Sequence, residues 1–258
     1  MSKKHLAASI LLCLLLALPQ ALWAHFGAVL PQDSMLNESQ RQTEVKFAFL
    51  HPFAQQGMDL EKPEKVIVTH MSQDQSQSLL AELSPVQMLD SQAWQLDFQP
   101  DRPGVYCLSM QPQPYWEEAE GIFIKHITKT YIAAFGQEGG WDQPLGLETE
   151  IVPLTRPFGL YAGNVFQGRV LLDGEPVPGA EVEVEYYNKG QKAQAANEYM
   201  HTQVLFADDN GVFTYAAPAA GWWGFSALNE ADYTLQHQDQ EQEVELGAVL
   251  WVQFLPWE

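Results

Sequence analysis

The chain has 258 residues, and its 13 basic against 33 acidic side chains give a formal balance of −20. So negative a surface repels phosphate backbones and anionic headgroups, which argues against nucleic acid and acidic lipid as partners, while it concentrates cations nearby. It has two cysteines, Cys13 and Cys107, too few for a disulfide framework.

The first segment has the grammar of a secretion signal. Lys3 and Lys4 precede an apolar run, Leu6 to Leu18, which Pro19 and Gln20 interrupt before the small residue Ala24. The run is shorter than the ~20 residues that a membrane span requires. Cleavage after Ala24 is expected, leaving a periplasmic chain of 234 residues with 11 basic and 33 acidic residues, a balance of −22. Cys13 departs with the leader, and Cys107 in Gly104–Met110 reads as a small buried hydrophobe of a strand. No later segment is long and apolar enough to insert in a membrane.

Cleavage there makes His25 the first residue, with an α-amine that titrates at ~7.7–8.0 beside its imidazole. Amine and imidazole together chelate one cation, and a second histidine would complete a nitrogen-rich site suited to Ni, Co, Cu or Zn. The plainer alternative is that His25 only opens the first strand.

Short β-type runs punctuated by Pro, Gly, Asn and Asp follow, with little helical periodicity. Val29–Pro31 reads as a short strand. Glu44–Leu50 alternates as a half-buried one and runs into His51-Pro52-Phe53, where Pro52 withholds a ladder donor and stops it. His51 is thereby placed at a sheet rim, with Gly57-Met58 in the loop beyond. Strands are expected at Lys65–Met71, Ala93–Phe98, Gly104–Gln111, Ile122–His126 and Thr130–Phe135. The breakers of Gly136–Gly146 predict a domain junction within residues 137–155.

Beyond it come Asn164–Leu172, Glu181–Tyr186, Val212–Tyr215, Gly221–Ala227 and Glu243–Val252, at the spacing of a sandwich. Lys189–Met200 reads as a polar loop or short helix. The expected architecture is all-β: two β-sandwich domains, Ig-like or transthyretin-like, over residues 25–145 and 146–258, after the signal peptide at 1–24.

Several of these stretches carry a resemblance. His25-Phe26-Gly27, His51-Pro52-Phe53 with Gly57-Met58, Leu154–Pro157, Gly159–Asn164 and Glu245–Val252 resemble the periplasmic family of unknown function associated with nickel and cobalt transport systems. Residues 164–225 are similar to carboxypeptidase regulatory-like (transthyretin-like) sandwiches through Gly168-Arg169-Val170, Pro178-Gly179-Ala180 and Asn210–Phe213. The first resemblance implies an accessory of an energised uptake system, with a membrane component of the transporter as partner. His25, His51 and Met58 are the matched features.

Of the histidines, His25 and His51 would supply three nitrogens, and His126, Met58 or water a fourth donor. The parity of His126 within its strand is open, so it is either a ligand or a surface residue. Met58 is either a soft donor or a loop methionine capping the apolar core. His70, His201 and His237 read as structural or solvated. Glu181, Glu183 and Glu185 share one strand face, which is either solvated or, as an outside idea, a calcium site. Trp222 and Trp223 read as a sugar platform or as core.

The cargo expected is a divalent transition metal: nickel or cobalt, with copper or zinc possible. A copper monooxygenase would use the same brace, and a metal-free adhesion or scaffold module would use the sandwiches alone. No nucleophile–base–acid set, phosphate loop or HExxH is present, and a non-enzymatic role is expected.

Overall fold

The computed structural model describes residues 24–257, so the expected signal peptide lies outside the described residues except for Ala24. Within them the protein is all-β: the one helical element is the 3-10 turn Glu198–Met200, inside the segment read as loop or short helix.

The strands form where β-branched and aromatic residues alternate, and their ends fall at Pro, Gly and Asp. Thr43–His51 stops at Pro52, as its sequence requires. Phe26–Pro31 begins earlier than Val29, because Phe26, Ala28 and Val29 are all fully buried and pair with Thr43–His51. Ile122–Ala134 is one strand of 13 residues rather than two. A strand also forms at Thr149–Pro153, inside the expected junction, by pairing with Val165–Leu172.

Three layers result. One five-stranded sheet contains Phe26–Pro31, Thr43–His51, Gln56–Met58, Ser84–Met88 and Ser91–Phe98. It packs on one face of an eleven-stranded central sheet, burying Phe47, Phe49 and Leu96 against Leu108, Met110, Ile124 and Ile132. The opposite face is covered by a four-stranded sheet built on Thr149–Pro153 and Val165–Leu172. There Phe166, Val170 and Phe213 meet Val182, Phe225, Leu250 and Val252. Alternation along each strand sends successive side chains to the two faces, which is why one sheet serves two cores.

The central sheet crosses the middle of the chain. Its C-terminal strand Val244–Leu255 pairs in parallel with Ile122–Ala134, so both sandwiches share it. A third apolar cluster sits at that seam, where Phe26, Ala28 and Leu50 meet Val249 and Trp251, and the Trp251 indole donates to the Gly27 carbonyl at 2.8 Å. On the other face the buried Lys129 ammonium pairs with Glu150, whose carboxylate also accepts from the Leu145 and Gly146 amides. That network pins the breaker-rich segment to the sheet. Cys107 is buried and in no disulfide, and burial pushes its thiol up to about 12.

Candidate metal centre

The antiparallel register brings the site together. Phe26 pairs with Leu50, so one step further along the ladder His25 comes opposite His51. Their ring centroids are 4.7 Å apart. His25 lies on the inner face of its sheet, stacked on Phe49 at 5.6 Å, with Tyr115 on another side at 6.4 Å.

From across the sandwich comes His126. Its strand parity, open in the sequence, is settled by its pairing: His126 lies opposite Gly247, on the face that looks toward the histidines. Two glycines make room for it. A Cβ on Gly247 would come within 2.2 Å of the imidazole Cδ2, and one on Gly27 within 2.2 Å of Thr128 Oγ1 and 3.1 Å of His126 Cβ. The ring is 1% exposed and packs edge-on against Phe49 at 5.9 Å.

Each ring is oriented by an acceptor. His25 Nε2 donates to Glu117 Oε2 at 3.0 Å, and His126 Nε2 to Glu245 Oε1 at 3.0 Å. His51 Nδ1 donates to the Ala24 carbonyl at 3.0 Å. A neutral imidazole that donates from one nitrogen carries its lone pair on the other. The lone pairs therefore fall on Nδ1 of His25 and His126 and on Nε2 of His51. On His126 that lone pair takes a long, 3.4 Å bond from the Gly27 amide.

Burial governs the charge. It is the main cause that lowers the His25 pKa to about 4, with the neighbouring His51 and His126 acting in the same direction and Glu117 and Glu245 opposing them. Burial also lowers His51, against the Ala24 hydrogen bond and the Glu117 charge. Glu245 is pulled up by burial, yet the hydrogen bond and charge of His126 hold it below the usual carboxylate range. Burial thus favours the neutral, metal-binding form of the His25 and His51 imidazoles. Among the described residues no three His, Cys, Asp or Glu side chains yet enclose a common point, and the peptide carbonyl of Ala24 occupies His51 Nδ1.

Met58 sits elsewhere in role: it pairs with Phe49 and packs into the apolar core of this half. Glu117 and Glu245 were not singled out from the sequence. Their one signal is that each carboxylate lies on a strand paired with the one bearing His126. His70 is remote, buried against Pro103 and Tyr106. His201 and His237, read as solvated, instead stack on Phe53 and Trp116. Trp223 is core and Trp222 packs on the seam, which leaves no paired aromatic platform. A cavity of about 320 Å³, lined by Phe49, Leu60, Tyr115 and Phe123, opens against His126.

No curated protein matches the chain. Among solved structures it is similar to the D0–D1 domain of intimin, at 11% identity over 88% of this chain and 99% of that one, with a TM-score of 0.25. A putative carbohydrate-binding protein from Bacteroides uniformis ATCC 8492 is 11% identical over 85% of this chain and 96% of that one, with a TM-score of 0.25. A two-domain fibronectin type-III segment of chicken tenascin is 9% identical over 88% and 99%, with a TM-score of 0.20. Over residues 22–231 the sequence matches the family described as a domain of unknown function (DUF4198), and the chain belongs to that family.

Proposed function

We propose that this β-sandwich protein is a non-enzymatic periplasmic carrier that captures a divalent transition metal at its mature N-terminus and passes it to a membrane component of a nickel or cobalt uptake system. The observation that carries the reading is the pairing of His25 with His51, centroids 4.7 Å apart, at the peptide bond where the leader is expected to be cut.

Cutting after Ala24 makes two changes at one point. It turns the His25 amide into an amine, and it removes the carbonyl that His51 Nδ1 meets at 3.0 Å. The amine and His25 Nδ1 would chelate the ion, and His51 Nε2 would be the third donor. His126 Nδ1, oriented through Glu245, would be the fourth on giving up its 3.4 Å bond from the Gly27 amide, with water in that place otherwise. Acceptors such as Glu117 and Glu245 behind ligand histidines fix the tautomer and raise basicity. Nitrogen donors suit Ni²⁺, Co²⁺, Cu²⁺ and Zn²⁺ better than Mg²⁺ or Ca²⁺, and the affinity order puts Cu²⁺ ahead at such a site. The acidic surface raises the local cation concentration around it.

The test is calorimetry with Ni²⁺, Co²⁺, Cu²⁺ and Zn²⁺ on protein beginning at His25, on protein that keeps Ala24, and on His51→Ala. Retention of Ala24 or loss of His51 is expected to weaken binding by ~100-fold or more. Equal binding by all three proteins would remove the proposal.

A further inference from the structure

The row Glu181, Glu183, Glu185, read from sequence as a solvated face or, as an outside idea, a calcium site, is solvent-exposed only at Glu181. Glu185 is 3% exposed, and its two oxygens accept from the Phe53 amide at 3.0 Å and from the Thr202 hydroxyl. Glu183 is half-buried, and no cation or hydrogen-bond donor among the described residues answers its charge. Its charged neighbours are all acids: Glu245, Glu185, Glu181 and Glu120.

A second observation lies beside it. Ser226 is fully buried and its hydroxyl has no hydrogen-bond partner among the described residues. Ser226 is directly opposite Glu183 in the ladder between Glu181–Tyr186 and Gly221–Glu230. Paired residues send their side chains to the same face, with Cβ atoms ~4.5–5.5 Å apart. The orphaned hydroxyl therefore stands on the same face as the uncompensated carboxylate, close enough for one ion to meet both. An unsatisfied buried hydroxyl costs ~1–3 kcal/mol, so a dry serine here asks for a partner.

We propose that Glu183 and Ser226, with Glu181 one same-face position along the strand, form an oxygen-donor site for a hard divalent cation, distinct from the histidine centre. Glu185 is already spoken for by its two donors and contributes charge rather than a ligand. All donors here are oxygens, the set that Ca²⁺ and Mn²⁺ take and that discriminates against Ni²⁺ and Cu²⁺. Two carboxylates and a hydroxyl, completed by water, suit a dissociation constant on the order of 10⁻⁴–10⁻³ M, the range of extracytoplasmic calcium modules. Burial and the surrounding acids raise the Glu183 pKa to about 8, the response of a carboxylate whose counter-ion is missing. The two sites share no proposed ligand, and Glu245, which orients His126, acts on Glu183 only as a neighbouring charge.

The experiment titrates the mature chain with Mn²⁺, followed by electron paramagnetic resonance of the free ion, and with Ca²⁺, followed by the melting temperature. Wild type, Glu183→Gln, Ser226→Ala and His51→Ala are compared. Glu183→Gln keeps the side chain's shape and replaces an acid whose ionised form its surroundings disfavour, so the fold survives the change. The expected result is saturable Mn²⁺ binding, weakened tenfold or more by Glu183→Gln and several-fold by Ser226→Ala, unchanged in His51→Ala, with Ca²⁺ raising the melting temperature of all but Glu183→Gln. Three results would overturn the site: no saturation up to about 10 mM, equal affinity in wild type and Glu183→Gln, or affinity lost in His51→Ala and kept in Glu183→Gln. The last would assign the Mn²⁺ to the histidines, and failure of either centre leaves the other standing.

Discussion

The histidine corner lies between the five-stranded and central sheets, the glutamate row stands on the central-sheet face that carries His126, and burial acts on the two in opposite directions. At the corner it strips protons from bases: His25 falls to about 4. Along the row it keeps protons on acids: Glu183 rises to about 8 and Glu185 to about 7. The physical cause is the same, since a low-dielectric site disfavours whichever form is charged. The difference lies in the partners. The corner matches its bases with Glu117 and Glu245, whereas the row sets acid beside acid. Nitrogen lone pairs accumulate at one place and oxygen lone pairs at the other, and the two places would select different ions.

The largest effect on stability is expected from removing the residue that supports the corner. His126→Ala leaves a cavity in a fully buried position and takes the donor from Glu245, so unfolding by urea at pH 7 should show a loss of about 3 kcal/mol. A loss below a few tenths would mean that the pair with Glu245 is not formed in solution.

The row should answer with the opposite sign. Because the Glu183 pKa is raised in the folded state, the fold holds its proton where the unfolded chain has lost it. Its contribution to stability is complete below the unfolded value near 4.5 and is lost as pH rises through about 8. Glu183→Gln, which cannot ionise, is therefore expected to stabilise the metal-free protein by about 2 kcal/mol at pH 8, a gain that fades toward pH 4.5. A gain that persists unchanged into acid would point to packing rather than charge.

Gly247→Ala addresses the space that the corner needs. Its Cβ would come within 2.2 Å of the His126 ring, which is held on both sides by Glu245 and the Gly27 amide. Overpacking of that kind costs about 1–2 kcal/mol, measurable in the same urea titrations, and the displaced ring should weaken metal binding alongside.

The smallest expected effect concerns His25 itself. Its folded pKa is depressed, so between its ordinary value of 6.5 and about 4 the unfolded chain takes up a proton that the folded chain refuses. Stability should fall as pH drops through that window, and His25→Gln should flatten the fall by about 1 kcal/mol, after allowance for partial solvent screening.

The strands were legible in the sequence wherever alternation and breakers agreed. Thr43–His51 stops where Pro52 removes a donor, and that local rule alone put His51 at a sheet end. The heavily buried Ile122–Ala134 strand was harder to read, since it serves two cores and loses its clean period of two. Thr149–Pro153 escaped notice because it is short and follows a run of glycines.

What the sequence determined by itself was therefore local: the β class and the end of the strand at His51. Those follow from side-chain shape and from the missing donor of proline, which act over a few residues. The tertiary structure alone decided that His25 comes opposite His51, that His126 faces them, and that Glu117 and Glu245 stand behind the rings. It also decided that Ser226 lies across from Glu183. Ladder register is fixed by burial on whole sheet faces, and one residue of slip would turn each of these side chains to the other side.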